Sequence, residues 1–306
     1  MHLKKKSSRI SSSTTASQVT TLSPAPITSP ISAMSAKIRI LNIPFDAITE
    51  AEAIEKIRHR LGGESGDLAL ITTPNPEMLL EAQNNPAFRD ILNNTWMSIP
   101  DGIGILWAGR FAQESEGRSY LGKIFTALRT LAELVVSPKK SRSVFPQRLS
   151  GVDLMQKIVE LSQSSGERIF LLGAAEGVAE KAGEKLLEQF PKAKIVGYHA
   201  GSPADEDYLS ILRKIRETEP EILFVAYGAP AQEEWLNRHR GELTGVRLAM
   251  GVGGSFDFIA GTKRRAPLWM RLLGLEWAFR LAQEPTRYKR IWNAVVRFPL
   301  AVLRSF

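Results

Sequence analysis

The chain has 306 residues, 43% of them hydrophobic, and a formal net charge of +8 at neutral pH. That length holds one large α/β domain or two modest ones. It has no cysteine, which excludes disulfides and thiolate metal sites, and its four histidines (His2, His59, His199, His239) lie too far apart in sequence to pair as ligands. Charge is unevenly placed. From Lys263 onward ten Lys/Arg stand against two acids, Glu276 and Glu284, and residues 1–36 carry four basic residues and no acid. A slightly acidic body with basic ends puts any anionic partner at the ends.

Residues 1–36 are rich in Ser, Thr and Pro and are expected to be disordered. Lys4-Lys5-Lys6 is followed by no apolar core, which argues against a secretory signal. The hydroxyl-rich, acid-free composition also suits an organellar transit peptide, and a translation start at Met34 is the plainer expectation. Lys37 to Leu41 is expected as the first strand, and a helix from about Thr49 to Leu61 places Ala51, Ile54 and Ile57 on one face. Leu68 to Thr72 is a continuous apolar strand of the kind buried on both sides, followed by Thr73-Pro74-Asn75-Pro76 and a helix. Trp96 to Ile99 is a short strand ended by Pro100, and Asp101-Gly102 hands over to a helix through Ile103, Leu106 and Trp107. Further helices start at Gly151, after Gly177 and near Tyr208, alternating with strands at Arg168–Leu172, Ile195-Val196, Ile222–Ala226 and Leu248–Gly251. This rhythm predicts an α/β fold, a Rossmann-like, doubly wound and mainly parallel sheet, over residues 37–262.

Two segments interrupt it. An insertion at about 111–147 carries Leu121, Ile124, Phe125, Leu128, Leu131, Leu134 and Val135 at helical spacing, with Lys123, Arg129, Lys139, Lys140 and Arg142 nearby. Residues 263–306 form a helical, basic, Trp-rich C-terminal appendage. Neither contains an apolar run of membrane-spanning length. Both fit packing on the body, and their composition favours an anionic membrane surface.

Asp101 stands where a parallel sheet binds ligands, at the carboxyl end of a strand; capping the following helix is the alternative use of the same residue. Gly173-Ala174-Ala175-Glu176-Gly177 is an incomplete dinucleotide turn that a tight strand-to-helix connection explains equally. Tyr227-Gly228-Ala229-Pro230-Ala231-Gln232-Glu233 and Gly251-Val252-Gly253-Gly254-Ser255-Phe256-Asp257 repeat one theme. Glycines let a backbone approach a ligand, and Gln232 and Asp257 offer polar groups for a base or a ribose. Asp205-Glu206-Asp207 opens a helix, where acids favour the dipole, and is read as structural.

In order, Thr73-Pro74-Asn75, Pro100-Asp101-Gly102-Ile103-Gly104, Gly151-Val152-Asp153, Leu171-Leu172-Gly173, Gly228-Ala229-Pro230-Ala231-Gln232-Glu233, Gly251 to Asp257, Arg265-Ala266-Pro267 and the series Glu276-Trp277, Arg280, Glu284-Pro285, Arg287, Arg290 resemble the WecG/TagA/CpsF family of bacterial glycosyltransferases. The resemblance covers about residues 37–295. It implies an inverting, metal-independent transfer, without a cofactor, of a sugar such as N-acetylmannosamine from a UDP-sugar to a polyprenyl-diphosphate-linked sugar. The implied place is the cytoplasmic, inner face of the cell membrane, peripherally bound to its anionic surface, with a homo-oligomer allowed and no nucleic-acid partner. On this carry-over Asp101 is the general base and Thr73 and Asn75 line the reaction centre. Gly102, Gly173, Gly228, Gln232, Glu233, Gly253 and Asp257 lie on the substrate side. Arg148, Arg265, Arg280 and Arg287 are candidates to stabilise the departing diphosphate or to bind lipid headgroups. The family often has Lys where this chain has Ala231, and the 111–147 connection is longer than usual. A nucleotide-dependent oxidoreductase and a non-enzymatic lipid- or RNA-binding protein are the other readings.

Overall fold

The strands pair in two separate sheets. The computed structural model describes residues 2, 37–63, 66–136, 143–204 and 206–305. The expectations for the rest of 1–36, for Lys139, Lys140 and Arg142, and for Asp205 of the acidic triplet lie outside the described residues. β1 (Lys37–Ile40) and β2 (Ile43–Asp46) form an antiparallel hairpin of their own. The main sheet contains β3 (Ala69–Thr72), β4 (Met97–Ser98), β5 (Arg168–Gly173), β6 (Lys194–His199), β7 (Ile222–Ala226) and β8 (Leu248–Gly251). Its order is β4-β3-β8-β7-β5-β6 and every pairing is parallel.

Strand periodicity explains the two-sided core. In β5, Ile169 and Leu171 enter one apolar cluster while Phe170 and Leu172 enter the other. The first face is covered by α1 (Glu50–Gly62), α6 (Gly151–Ser165), α7 (Val178–Gln189) and α10 (Ser255–Ala260). The opposite face is covered by α3 (Pro86–Asn93), α8 (Tyr208–Thr218) and α9 (Ala231–Arg238). A third cluster joins the hairpin to α2 (Pro76–Asn84), α4 (Ile103–Ser115), α5 (Tyr120–Val136) and the terminal α14 (Phe298–Arg304). Between α10 and α14 run α11 (Leu268–Leu272), α12 (Glu276–Gln283) and α13 (Tyr288–Trp292).

The expected α/β fold and most of its elements are present, with two differences. The expected first strand, β1, stands outside the main sheet. Its turn places Leu41 and Asn42 at φ of 48° and 64°, the left-handed geometry of a tight hairpin. Its partner β2 escapes the sequence reading because Pro44 weakens a strand pattern, a residue that a two-stranded edge tolerates. The second difference concerns the basic tail. Phe298 and Val302 are fully buried in the third cluster, so α14 is core. Gly104 of α4 admits the close approach of Pro76, whose Cγ would stand 2.9 Å from a Cβ there, while Phe298 lies at ordinary contact distance, 3.7 Å.

The apolar stripe expected along α5 divides, with Leu131 and Leu134 packed against the third cluster. Trp107 of α4 donates its indole N–H to Thr130 Oγ1 at 2.9 Å, and Arg110 pairs with Glu114 and Glu133. Tyr120, Leu121, Phe125 and Leu128 are exposed on the outer side. Among the described residues no helix is long and apolar enough to cross a membrane.

Because α14 is core, Phe298→Ala should cost about 3–5 kcal/mol, read as a lower urea midpoint with the slope unchanged. A midpoint equal to wild type would mean that α14 is not packed as described. Truncation before Pro267 removes the same contacts and therefore perturbs the fold as well as the site.

Candidate active site

All six parallel strands open their carboxyl ends on one edge, so the predicted residues converge there although they are far apart in sequence. After β3, Asn75 caps α2 by accepting from the N–H groups of Glu77 and Met78 at 3.0 and 3.1 Å. Among the described residues its Nδ2 has no acceptor. The Thr73 hydroxyl is likewise unengaged and lies beside the start of α6, where a Cβ on Gly151 would come 3.1 Å from Thr73 Oγ1. After β4, the Asp101 N–H donates to the Pro74 carbonyl at 3.2 Å, tying the two loops together.

Asp101 does not cap α4. The cap position belongs to Gly102, at φ 91°, and no side chain accepts from the helix there. Among the described residues the Asp101 carboxylate has no hydrogen-bond or ion-pair partner. The residue is half-buried. Burial pushes its pKa up to about 6, with Glu276 adding to the rise and Arg148, Arg280 and Arg265 opposing it.

The four candidate arginines differ in what they are free to do. Arg148 donates to the Arg271 carbonyl at 2.9 Å and to Glu276 at 3.3 Å. Arg265 holds Asp153 through two bonds of 2.6 and 2.8 Å and reaches Ser150 at 2.8 Å, its Nε standing 3.8 Å from Glu276. Arg287 pairs with Glu284 at 2.8 Å. Among the described residues Arg280 has no hydrogen-bond or ion-pair partner, and its guanidinium lies 4.6 Å over the Phe258 ring. Burial, ahead of the nearby cations Arg287 and Arg290, pulls its pKa below the ordinary arginine value, against Glu276 and Asp101. A half-buried guanidinium of this kind is stabilised by an incoming anion. Of the four arginines expected to serve a diphosphate or lipid headgroups, Arg148 and Arg265 tie the tail to the body, Arg287 pairs within the tail, and Arg280 is the one without a hydrogen-bond or ion-pair partner among the described residues.

Beyond β7 and β8 the glycines divide in role. Gly228 and Gly253 take φ of 79° and 51°, and a Cβ on either would enter open space. Their N–H groups are not free for a phosphate, because both donate to Gln232 Oε1, at 3.1 and 3.0 Å. Gln232 is correspondingly buried, with both ends of its amide engaged inside the protein. Glu233 is fully buried and accepts from Gln232 Nε2 at 2.7 Å; burial pushes its pKa up to about 7. Gly173 is a close-packing residue, since a Cβ would meet the Ala226 carbonyl carbon at 2.9 Å and the Tyr227 ring at 3.0 Å. Asp257 is partly exposed, with Oδ1 accepting from Thr262 at 3.1 Å and Oδ2 unengaged.

The site thus has an unpaired carboxylate, an unpaired cation and a glycine-lined shelf at one sheet edge. The sequence profile of the Glycosyl transferase WecG/TagA/CpsF family matches residues 38–134 and 132–306. The chain belongs to this family of glycosyltransferases. Membership sets aside the oxidoreductase and non-enzymatic readings. Among its relatives is the N-acetylglucosaminyldiphosphoundecaprenol N-acetyl-beta-D-mannosaminyltransferase of Bacillus subtilis (strain 168), 29% identical over 267 residues, 87% of this chain and 91% of that protein. A Staphylococcus aureus (strain MW2) protein of the same name is 26% identical over 257 residues, 84% and 89% of the two chains.

In this glycosyltransferase the reading of the sequence missed Glu276 as the shared acid of Arg148 and Arg265, and Phe258 as the platform under Arg280. Glu276 was visible only as part of a motif, with nothing to indicate which bases it meets. The raised pKa of Asp101 also has a consequence for stability. The folded state holds the Asp101 proton more tightly than the unfolded chain does. Stability therefore falls as pH rises from about 4 through about 6, and the ionised group is a fixed cost above that. Asp101→Asn should stabilise the protein at pH 7.5 by on the order of 2 kcal/mol, with the difference vanishing near pH 4. Thermal melts of both proteins across that range measure it, and a less stable variant at pH 7.5 would contradict the burial argument.

Proposed function

We propose that this glycosyltransferase moves N-acetylmannosamine, or a related hexose or uronic acid, from a UDP-sugar to a polyprenyl-diphosphate-linked N-acetylglucosamine with inversion of configuration. The names of its relatives supply the acceptor and the sugar. The observation that carries the chemistry is the unpaired, half-buried Asp101 carboxylate within electrostatic reach of the unpaired Arg280. Asp101 takes the proton of the acceptor hydroxyl as that oxygen attacks the anomeric carbon. The bond from that carbon to the UDP oxygen breaks on the opposite side, and the products are the lipid-linked disaccharide and UDP. Charge grows on the departing diphosphate, and Arg280 opposes it at short range in a low-dielectric cleft. Thr73 and Asn75 offer a hydroxyl and an amide N–H to the reacting sugars. The nucleotide lies over the open glycine shelf, with Asp257 Oδ2 available to a ribose hydroxyl.

With a base that titrates near pH 6, log kcat/KM should rise with unit slope below that pH and flatten above it. Asp101→Asn should retain UDP binding and lose about 10²–10⁴-fold in transfer, in an assay of UDP release with chelator present. Unchanged turnover in that variant removes Asp101 from the role of base, and loss of wild-type activity on chelation removes the metal-independent scheme.

A lipid-linked acceptor requires access to a membrane surface, proposed to be the cytoplasmic face. The exposed Leu121, Phe125 and Leu128 of α5 and the exposed Trp269, Leu272 and Trp292 among the tail arginines suit peripheral insertion. The protein should cosediment with anionic vesicles more than with neutral ones, and salt should weaken it. Phe125→Asp and Trp269→Asp should each reduce the bound fraction; two variants that bind like wild type would rule this surface out.

A further inference from the structure

The loops after β7 and β8 part company. The chain leaves β7 for α9 on one face of the sheet and leaves β8 for α10 on the other. Ligands occupy the crevice created by such a divergence, and a crevice between two independently mobile loops has no fixed width. One side chain spans this one. Gln232, in the first turn of α9, receives the Gly228 N–H from its own loop and the Gly253 N–H from the other on the same atom, Oε1. Its backbone N–H also donates back to the Gly228 carbonyl at 3.0 Å.

The amide orientation follows from chemistry alone. Two converging N–H donors require the oxygen, so the NH₂ end must turn the other way. There it meets Glu233 Oε1 at 2.7 Å, an acceptor in either protonation state of that acid. The neighbouring strand end is shaped to the pair, since a Cβ on Gly251 would fall 2.5 Å from Gln232 Nε2 and 2.6 Å from Glu233 Oε1.

We infer that Gln232 is a positioning residue, oriented by Glu233, whose amide oxygen fixes the spacing of the Gly228 and Gly253 loops over which a nucleoside diphosphate donor binds. The donor part rests on the function proposed above; the brace itself rests on the hydrogen bonds. Gln232 touches no substrate. Its removal acts on donor affinity through loop geometry and leaves the acceptor side alone.

Hydrogen exchange and UDP calorimetry on the full chain separate these parts. In the ligand-free protein the amides of Gly228 and Gly253 should be protected, and in Gln232→Leu they should exchange at least about tenfold faster. The same variant should lose about tenfold or more in UDP affinity and in donor KM, with acceptor KM unchanged. Gln232→Glu, which keeps an acceptor for both N–H groups, should recover part of the loss. Fast exchange at both amides in folded wild-type protein overturns the brace, and it does so even if Gln232→Leu fails to fold. Lost affinity in Gln232→Leu with exchange unaltered also overturns it, in favour of direct contact with the donor. Wild-type protein that binds no UDP overturns the donor assignment instead, and the exchange comparison still decides the brace.

Discussion

A parallel strand can be followed by another only after a crossover, so a sheet of six parallel strands opens all its strand-to-helix loops on one edge. Everything that gives this protein its chemistry depends on that constraint. Asp101, the Thr73–Asn75 loop, the glycines after β7 and β8 and the start of α6 are distant in sequence, and they meet because each follows, or packs against, the same edge. The backbone then fastens the loops to each other: Asp101 to Pro74 at 3.2 Å, and Gly228 to Gly253 through one glutamine oxygen. Rigid neighbours let a carboxylate remain enclosed without a partner.

An unpaired, half-buried acid is costly for the fold, and in the reaction proposed above that cost is released as the acid takes up a proton. Once a proton arrives from an acceptor hydroxyl, Asp101 becomes the neutral species that burial favours. Arg280 presents the complementary case, a cation kept short of counter-ions until a diphosphate comes. Around them Glu276 pairs with Arg148 and lies beside Arg265, so these two arginines are neutralised within the protein while Arg280 is left without a counter-ion among the described residues.

Elements whose signal is local were legible in the sequence. β7 and β8 are uninterrupted apolar runs, and Asp101 sits between a strand and a helix opened by glycine. What escaped depends on partners far along the chain. Gln232 reads as a pocket residue until its bond to Gly253, 21 residues on, is known. Arg265 reads as a phosphate ligand until it is seen on Asp153, 112 residues away. Phe298 belongs to an amphipathic pattern that is the same for a helix facing lipid and one facing core, because periodicity reports that an apolar face exists and not what covers it.

The tail is pinned at both ends of the span that carries Arg280. Arg265 grips Asp153 at one end; at the other, Arg290 holds Glu77 by bonds of 3.0, 2.9 and 2.6 Å just before Phe298 enters the core. A segment tethered twice searches a small volume, so the effective concentration of its guanidinium at the cleft is that of a loop and not of a free arm. The entropy of bringing the cation to the carboxylate is thereby settled when the chain folds and is not charged again at each turnover.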